Sequence, residues 1–427
     1  MGRSVLIHGD LLYAATAQEL SVHPDSWMLV EEGKVEGIYE QKPEIENCEI
    51  RDYGKQLIIP VFADIHIHSV QYGQRGLGMN VELLPWLSTY TFKEEARFED
   101  LEYGKKVFPL LLNELWSLGS FNLCTFSSKH LESSLMLMDM YEKAGFRAYV
   151  GKVNMDCCDE PRLKEECDIS FADTKEWLER SKQYKNVKPI ITPRFAPSCT
   201  EPLLRHLGDL VQEHDLPVQT HLNENFGEIS WVQELFPDSE NYYDVYRQYN
   251  LNPKGRTVLA HCIHNTDEEL EAMLEDEVFV AHCPASNINL SSGIMPLREM
   301  IDAGFNIGLG SDIGAGDRLF MGTAAVDAIR SSKLYSMMSE DEVDPVNYVE
   351  AFYLATAGGG ALFGDCGKFS EGSSADYLVV DDKCWPASDR ISLEERLQQF
   401  LYLGGAEQIT ERCMRGEIVE KPFPDVC

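Results

Sequence analysis

The sequence predicts an α/β fold: a (β/α)8 barrel of parallel strands with a small β-sandwich domain built from both termini. The first observation is that strand-like apolar runs alternate with helix-like stretches through the middle of the chain. The second is that both ends of the chain are rich in short strand-like segments separated by turn signals. We therefore expect a composite sandwich over 1–57 and 366–427 and a barrel over 58–365.

The barrel prediction depends on eight apolar runs between residues 58 and 312. They are, in order, IIPVFADIHIH, FNLCTF, RAYVGKV, KPIITPRF, PVQTHL, TVLAHC, VFVAHCP and NIGLGSD. Helix-like stretches such as 174–183 and DEELEAMLED lie between them. The alternative is an open, doubly wound sheet, which needs a glycine-rich phosphate-binding turn after its first strand. Neither GxGxxG nor GxxxxGK occurs there.

The terminal segments predict the sandwich. Near the N-terminus, SVLIHGDLLYA and SWMLVEEGKVEGIYE are apolar segments interrupted by the turn signals GD and EEG. Near the C-terminus, ADYLVVDD and RCMRGEIVE have the same character. Because both ends need strand partners, we expect them to join one small domain.

Composition narrows the classes of function. The net charge of -34 disfavours nucleic acid and anionic membrane surfaces as partners. The 12 cysteines show no spacing typical of a zinc ribbon or a disulfide framework. Neither a signal peptide nor an apolar run of about 18 residues is recognisable. We therefore expect a cytoplasmic protein.

Polar residues end several barrel runs, which is where barrels of this kind carry their chemistry. His66 and His68 end the first run and share one face with Asp64, His221 ends the fifth and Asp312 the eighth. Three imidazoles and one carboxylate suit one Zn2+, with Fe2+ as the alternative. An open position would hold water, whose pKa the metal lowers. Taken alone, the two neighbouring histidines could also be a chance pair.

A single metal is expected, because the fourth run ends in Arg194 and offers no bridging anion. Glu224 could move a proton between the water and a substrate nitrogen. The alternative is a solvent-facing glutamate at the start of a helix, where the dipole favours an acid. His261 could polarise substrate or hydroxide, or be a buried histidine satisfied by a backbone carbonyl. His282 could hold Asp312 or a substrate group, or be purely structural.

Three further residues suggest a site for a planar ring. Arg194 at a barrel mouth needs a carboxylate or a polar substrate as its partner. Phe195 could stack on the ring or fill the core, and Gln71 can both donate and accept hydrogen bonds. The aromatic-rich segment 79–98 could be a lid that excludes water or a helix packed over the rim.

These motifs resemble the amidohydrolase superfamily, and the resemblance covers nearly the whole chain. Within it the chain is most similar to the guanine deaminase family. The segments that carry this similarity are HIHSVQYGQRG, ELLPWLSTYTF, TPRFAPSC, HLNENFGEISWVQELFP, AHCPASNINLSSG and GLGSDIGAG. The chain departs from the family pattern at Val61, Asn223, Ala285 and Ser311. Ala285 removes a polar side chain near the rim and bears on substrate selectivity.

The resemblance implies a metal-dependent enzyme that hydrolyses guanine to xanthine and ammonia in purine catabolism or salvage, commonly as a homodimer. It implies one role for each of several residues in this sequence. Gln71, Tyr72, Arg194 and Phe195 would hold the purine, Glu224 would protonate the ring nitrogen, and His261 and Asp312 would flank the tetrahedral intermediate, with Asp312 receiving a proton from the attacking water. The alternatives are a related hydrolase of another aminopurine, pyrimidine or triazine ring, and a metal-free assembly protein.

Overall fold

The computed structural model describes residues 4–424 and is a mixed α/β fold, which confirms the predicted class. Its strands are β1 (Ser4–Thr16), β2 (Glu19–Glu31), β3 (Lys34–Tyr39), β4 (Glu49–Pro60), β5 (Phe62–His68), β6 (Ser120–Phe126), β7 (Arg147–Gly151), β8 (Val153–Asn154), β9 (Val187–Pro189), β10 (Thr192–Pro193), β11 (Val218–Leu222), β12 (Thr257–His261), β13 (Phe279–His282), β14 (Asn306–Leu309), β15 (Tyr377–Val380), β16 (Ile409–Met414) and β17 (Glu417–Ile418).

The strands are accompanied by helices of very different length. The α-helices are α1 (Leu83–Trp86), α2 (Phe92–Glu95), α3 (Leu101–Leu118), α4 (Leu131–Lys143), α5 (Cys167–Ser181), α6 (Glu201–His214), α7 (Phe226–Leu235), α8 (Tyr242–Gln248), α9 (Asp267–Glu275), α10 (Pro284–Asn289), α11 (Leu297–Asp302), α12 (Met321–Met338), α13 (Tyr348–Tyr353) and α14 (Leu393–Leu403). Short 3-10 segments occur at Ser69–Gln74, Ala96–Glu99, Ala196–Ser198 and Ala361–Phe363, and π-helical turns at Leu87–Thr91 and Leu354–Gly358.

Strands from both ends of the chain form one seven-stranded sheet, in the order β17-β16-β15-β4-β1-β2-β3. Strand β4 pairs in parallel with β1 and antiparallel with β15, so it joins the two ends. Alternate residues of β4 pack into different clusters: Ile58 on one face, and Leu57 and Ile59 on the other. Because β4 is buried on both faces, its end is as apolar as a barrel strand, and the sequence does not separate it from β5. The run that begins at Ile58 in fact divides at Val61, between β4 and β5.

The N-terminal strands are longer than the sequence predicts, since β1 and β2 have 13 residues each. The expected turn at Gly9–Asp10 is wrong. The pairing register of β1 shifts between Gly9 and Leu11, so these residues form a bulge within a continuous strand. The Asp10 carboxylate is buried and lies 2.8 Å from Arg396 Nη1, so the residue pairs across the domain instead of facing solvent in a turn.

The middle of the chain forms parallel sheets in the orders β5-β6-β7-β9, β8-β10 and β11-β12-β13-β14. A parallel bridge between Ile191 and Val218 connects the β9–β10 region to β11. Two backbone hydrogen bonds connect the segment after β14 to β5, from Asp312 N to His66 O (2.9 Å) and from His68 N to Ile313 O (3.2 Å). The third predicted strand is divided into β7 and β8, and the fourth into β9 and β10. In the fourth, Pro189 and Pro193 lack the N–H that a continuous ladder needs.

The aromatic-rich segment that follows β5 forms α1, a π-helical turn and α2. Its Trp86 is buried and donates from Nε1 to the carbonyl of Leu77 at 3.0 Å. Thr91 accepts a hydrogen bond of 3.0 Å from Gln74 Nε2. The segment is therefore a helical cover fastened to the loop after β5.

None of the helices within residues 4–424 combines the length and the apolar character needed to cross a membrane.

Candidate active site

The structure brings together the four side chains that the sequence proposes as metal ligands. His66 and His68 lie on β5, His221 on β11, and Asp312 follows β14, and all four are buried. The Nε2 atoms of His68 and His221 are 3.1 Å apart. Asp312 Oδ1 lies 3.2 Å from His66 Nε2 and 3.4 Å from His68 Nε2. The four groups therefore surround one small volume.

These separations fit a single metal ion. Two atoms bonded to one ion at about 2.0–2.1 Å lie within about 4.1 Å of each other, and the three separations given above meet this limit. His66 Nε2 is buried without a hydrogen-bond partner in the described part of the chain, which suits a metal ligand. Burial lowers the pKa of His66, and burial together with neighbouring histidines holds those of His68 and His221 well below their usual range. Neutral imidazoles are the form that binds a metal.

His261 lies beside the same cluster and can be grouped with His66 and Asp312 as a further set of potential ligands. Its Nδ1 lies 2.8 Å from Asn287 Oδ1, so that Nδ1 donates and Nε2 keeps its lone pair. The Nε2 atom is 3.4 Å from Glu224 Oε2 and 3.9 Å from Asp312 Oδ2. The His261 ring therefore lies close to both Glu224 and Asp312.

The backbone around the cluster fixes the orientation of these groups. His221 Nδ1 lies 2.5 Å from the carbonyl of Arg194, which can only accept, so Nδ1 carries the proton and Nε2 is available for a metal. Asp64 is buried on the same strand as His66 and His68 and accepts from Ser311 N at 2.9 Å. Burial raises the pKa of Asp64 to about 6. Asp312 and His261 have φ of 45° and 73°, a left-handed conformation that is costly outside glycine and occurs often at functional sites.

Asp312 and Glu224 are carboxyl groups in contrasting surroundings. Burial opposes ionisation of Asp312, but the adjacent His66 and His261 outweigh it and lower the pKa to about 2. For Glu224, burial and the charge of Asp312 raise the pKa to about 8. Glu224 is buried and accepts a hydrogen bond of 3.2 Å from Ser292, so the solvent-facing alternative is wrong. A carboxyl group with a pKa near neutrality can both accept and deliver a proton.

A cavity opens onto this cluster. Its lining consists of His68, Gln71, Leu83, Trp86, Leu87, Arg194, Phe195, His221, Glu224, Glu228, His261, Leu290, Asp312 and Ala315. Apolar side chains from the cover pack with Phe195 and form one wall. The cluster therefore opens onto a cavity with one apolar wall.

Arg194 and Gln71 share one partner that the sequence did not indicate. Arg194 Nη1 lies 2.7 Å from both carboxylate oxygens of Glu95, and Gln71 Nε2 donates to Glu95 Oε1 at 2.8 Å. The ion-pair alternative for Arg194 is therefore present, although Arg194 also lines the cavity. Glu95 and Glu94 are adjacent in α2, and no feature of the sequence distinguishes them.

Two predicted residues are not brought into the site in the expected way. The hydroxyl of Tyr72 donates to Glu114 Oε2 at 2.6 Å, and Tyr72 is not among the residues that line the cavity. His282 is buried, and neither of its ring nitrogens has a hydrogen-bond partner among the described residues. Burial lowers the pKa of His282 to about 3. The hydrogen bond from His282 to Asp312, one of the alternatives for this residue, is therefore absent from the described residues.

A second set of residues missed by the sequence supports the site, and one of them, Glu228, also lines the cavity. Glu228 Oε2 accepts from the backbone N of Glu224 at 3.1 Å, and its Oε1 accepts from Tyr242 at 2.8 Å. The Tyr246 hydroxyl accepts from Ala196 N at 3.1 Å and donates to the carbonyl of His221 at 2.9 Å. These helix residues join the ends of β10 and β11. The sequence alone could not assign these side chains to the site, because their positions depend on how α7 and α8 pack against the strands.

Comparisons with known proteins agree with this geometry. A model of the amidohydrolase family matches residues 57–419. The chain is 35% identical to guanine deaminase of Dictyostelium discoideum, over 90% of this chain and 86% of that protein. It is 36% identical to guanine deaminase of Homo sapiens, over 87% and 85%. The structure of guanine deaminase from C. acetobutylicum with bound guanine in the active site has a TM-score of 0.96 and 38% identity, and covers 98% of this chain and 100% of that chain. The resemblance to guanine deaminases is thus confirmed, and the chain belongs to the amidohydrolase family.

Proposed function

We propose that this protein hydrolyses guanine to xanthine and ammonia. The observation that carries the proposal is one cavity lined by two kinds of group. These are the histidine and carboxylate cluster with Glu224, and the donors Arg194 and Gln71. The similarity to relatives named guanine deaminase over most of the chain supports guanine as the substrate.

One divalent ion would be held by His66, His68, His221 and Asp312. We propose zinc, with ferrous iron as the alternative, because three nitrogens and one oxygen suit either. When bound, such an ion makes hydroxide available near neutral pH by lowering the pKa of water. Arg194 follows β10 without a further anionic side chain to bridge a second ion, which supports a mononuclear site.

Glu224 is proposed as the group that moves protons. Its Oε2 can take a proton from the attacking water and deliver it to the ring nitrogen beside the attacked carbon, since its pKa of about 8 allows both forms near neutrality. His261 keeps its Nε2 lone pair towards the site and can accept a hydrogen bond there. Asp312 Oδ2 lies near the same His261 nitrogen as Glu224 Oε2 and can accept a proton from the same water.

Arg194, Gln71 and Phe195 are proposed to hold the purine. Arg194 and Gln71 would donate to its carbonyl oxygen, and Phe195 would stack on or flank the planar ring. The cover formed by α1 and the π-helical turn supplies Leu83, Trp86 and Leu87 to the cavity wall and would keep bulk water away. Tyr72 is retained only as a residue behind the pocket, because its hydroxyl is bonded to Glu114.

The domain organisation is also a proposal. The three parallel sheets, the bridge between Ile191 and Val218, and the backbone bonds between Asp312 and His66 support closure into a (β/α)8 barrel. The seven-stranded sheet supports a composite domain over 1–57 and 366–427, with the barrel over 58–365. Pairing of Ile58, Ile59 and Pro60 with β15 places the end of β4 three residues beyond this boundary. A cytoplasmic location and a homodimer remain predictions.

Ammonia release from guanine, with metal analysis on the same sample, tests the function. We expect release from guanine with about one metal per chain, and weak release from other aminopurines, pyrimidines and triazines. Release from another ring but not from guanine would retain the chemistry and overturn the substrate. A purified protein without metal or activity, unresponsive to added zinc, would favour the assembly protein.

A further inference from the structure

Glu95 is a buried carboxylate that holds both proposed purine-binding donors. It belongs to α2 in the cover, whereas Gln71 follows β5 and Arg194 follows β10. Arg194 Nη1 contacts both Glu95 oxygens at 2.7 Å, and Gln71 Nε2 reaches Oε1 at 2.8 Å. The guanidinium also lies 5.2 Å from the ring centroid of Phe92, on the same helix. One short helix therefore positions side chains from two distant strands.

The partners of the Gln71 side chain determine where its amide oxygen and its amide nitrogen lie. The Gln71 Oε1 atom accepts from Gly314 N at 3.2 Å, and a backbone N–H can only donate. Glu95 lies at the other end of the amide, and its carboxylate, paired with a guanidinium, can only accept. The amide is held from both sides, so one N–H of Gln71 remains for a ligand, beside an oxygen that already accepts from Gly314.

Arg194 is constrained in the same sense. Its bonds to Glu95 use Nη1, and among the described residues Nη2 and Nε remain as donors. Arg194 and Gln71 both line the cavity, whereas Glu95 is not among the lining residues. The cavity therefore presents donors at this end, and their arrangement depends on a residue that does not line it.

We infer that Glu95 is a specificity-determining residue that fixes Gln71 and Arg194 as donors, so that the site accepts purines with an oxygen at position 6 and rejects those with an amino group there. The inference rests on the proposed function and adds the identity of the residue that sets selectivity. A 6-oxo group can accept from both donors. A 6-amino group brings its own N–H atoms against them and leaves buried donors unpaired. Glu95 acts through its neighbours and is a positioning residue, not a catalytic one.

The first test is the substitution Glu95→Gln in the full-length, metal-loaded enzyme. The amide keeps the shape of glutamate, but it removes the negative charge opposite Arg194 and can itself donate to Gln71. We expect kcat/KM for guanine to fall at least about tenfold, chiefly through KM. The ratio of kcat/KM for guanine over 2,6-diaminopurine should fall by about ten- to hundredfold. Metal content should stay the same.

Glu94→Gln is the matched control, because Glu94 is a buried carboxyl on the same helix whose partners are Arg97 and Tyr103. This variant should keep the selectivity ratio of the wild type. A general disturbance of α2 would change both variants alike, whereas the proposed role changes only Glu95→Gln. A ratio in Glu95→Gln within about twofold of the wild-type value would overturn the inference.

A second measurement uses the wild-type enzyme and remains decisive if Glu95→Gln does not fold. Hypoxanthine and adenine lack the 2-amino group and differ at position 6, so they can be compared as competitive inhibitors of guanine turnover. Hypoxanthine should inhibit at concentrations about ten- to hundredfold lower than adenine. Equal inhibition would overturn the inference.

The two proposals fail in different ways. A wild-type protein that does not release ammonia from guanine refutes the proposed function, whatever the variants do. A wild-type protein that is active on guanine, with selectivity unchanged in Glu95→Gln, refutes only the role of Glu95.

Discussion

The substitution Glu224→Gln tests the proton-transfer proposal most directly. The glutamine keeps the volume of the side chain and an oxygen that can accept from Ser292. The bond from the backbone N of residue 224 to Glu228 does not involve the altered group. The local structure should therefore persist while the group that exchanges protons is lost. General acid–base groups contribute about 10²–10⁴-fold to rate, so we expect kcat to fall by that factor with metal still bound.

The same substitution should affect stability in the opposite direction. Burial and Asp312 raise the pKa of Glu224 from 4.5 to about 8 in the folded protein, and we take 4.5 as the value for the unfolded chain. The raised pKa costs nothing below pH 4.5, where both states are protonated. The cost grows as pH rises and is complete above about pH 8. At about 1.4 kcal/mol per pKa unit the full cost is on the order of several kcal/mol, and glutamine avoids it.

Two assays test the expected effects of Glu224→Gln on turnover and on stability. Single-turnover and steady-state rates of ammonia release give kcat, and denaturant unfolding at pH 6 and pH 9 after metal chelation gives the free energy of unfolding. Glu224→Gln should gain stability over the wild type at pH 9 by more than at pH 6. Glu94→Gln serves as the control for replacing a buried glutamate in the cover. A kcat within about threefold of the wild-type value would refute the proton-transfer role.

Three further predictions concern the supports of the site. Tyr246→Phe removes the hydroxyl between Ala196 and the His221 carbonyl, which should cost about 1–3 kcal/mol of stability and weaken metal retention in a chelator competition. The control is Tyr243→Phe, whose lost hydroxyl contacts Asp276 and should cost stability alone. Arg194→Ala should raise KM for guanine at least about tenfold in steady-state assays; an unchanged KM would dismiss the carbonyl contact. Metal chelation should lower the melting temperature and abolish activity, and added zinc should restore both; a melting temperature indifferent to zinc would argue against a metal in the folded site.

The sequence predicts the residues at strand ends well because parallel strands bring their carboxyl ends together. The His66 and His68 pair, His221 and Asp312 come from three distant parts of the chain, yet each lies at or just after the end of an apolar run, and this position brings them together. Strand boundaries are predicted less well. The Gly9–Asp10 pair has the composition of a turn, but its aspartate is satisfied by Arg396, a partner hundreds of residues away that no local pattern indicates.

The supports of the site escape prediction for a similar reason. Glu94 and Glu95 are adjacent in the sequence, and only the path of the chain through the π-helical turn decides which carboxylate meets Arg194. Tyr242 and Tyr246 are one helical turn apart, a spacing equally typical of a core-facing stripe. Local pattern therefore locates the reactive groups, whereas docking of helices locates the groups that orient them.

Glu95, Asp312 and Glu224 illustrate how the surroundings of a carboxyl group determine what it can do. Glu95 is paired with Arg194 and serves to orient donors. Asp312 lies among histidines, and its pKa of about 2 keeps it in the charged form that a metal requires. Glu224 has no cation as close as 4 Å among the described residues apart from the potentially charged ring of His261, and its pKa of about 8 leaves it able to exchange protons. Moving a cation next to Glu224 should therefore convert it from a proton carrier into a fixed charge, at the expense of turnover.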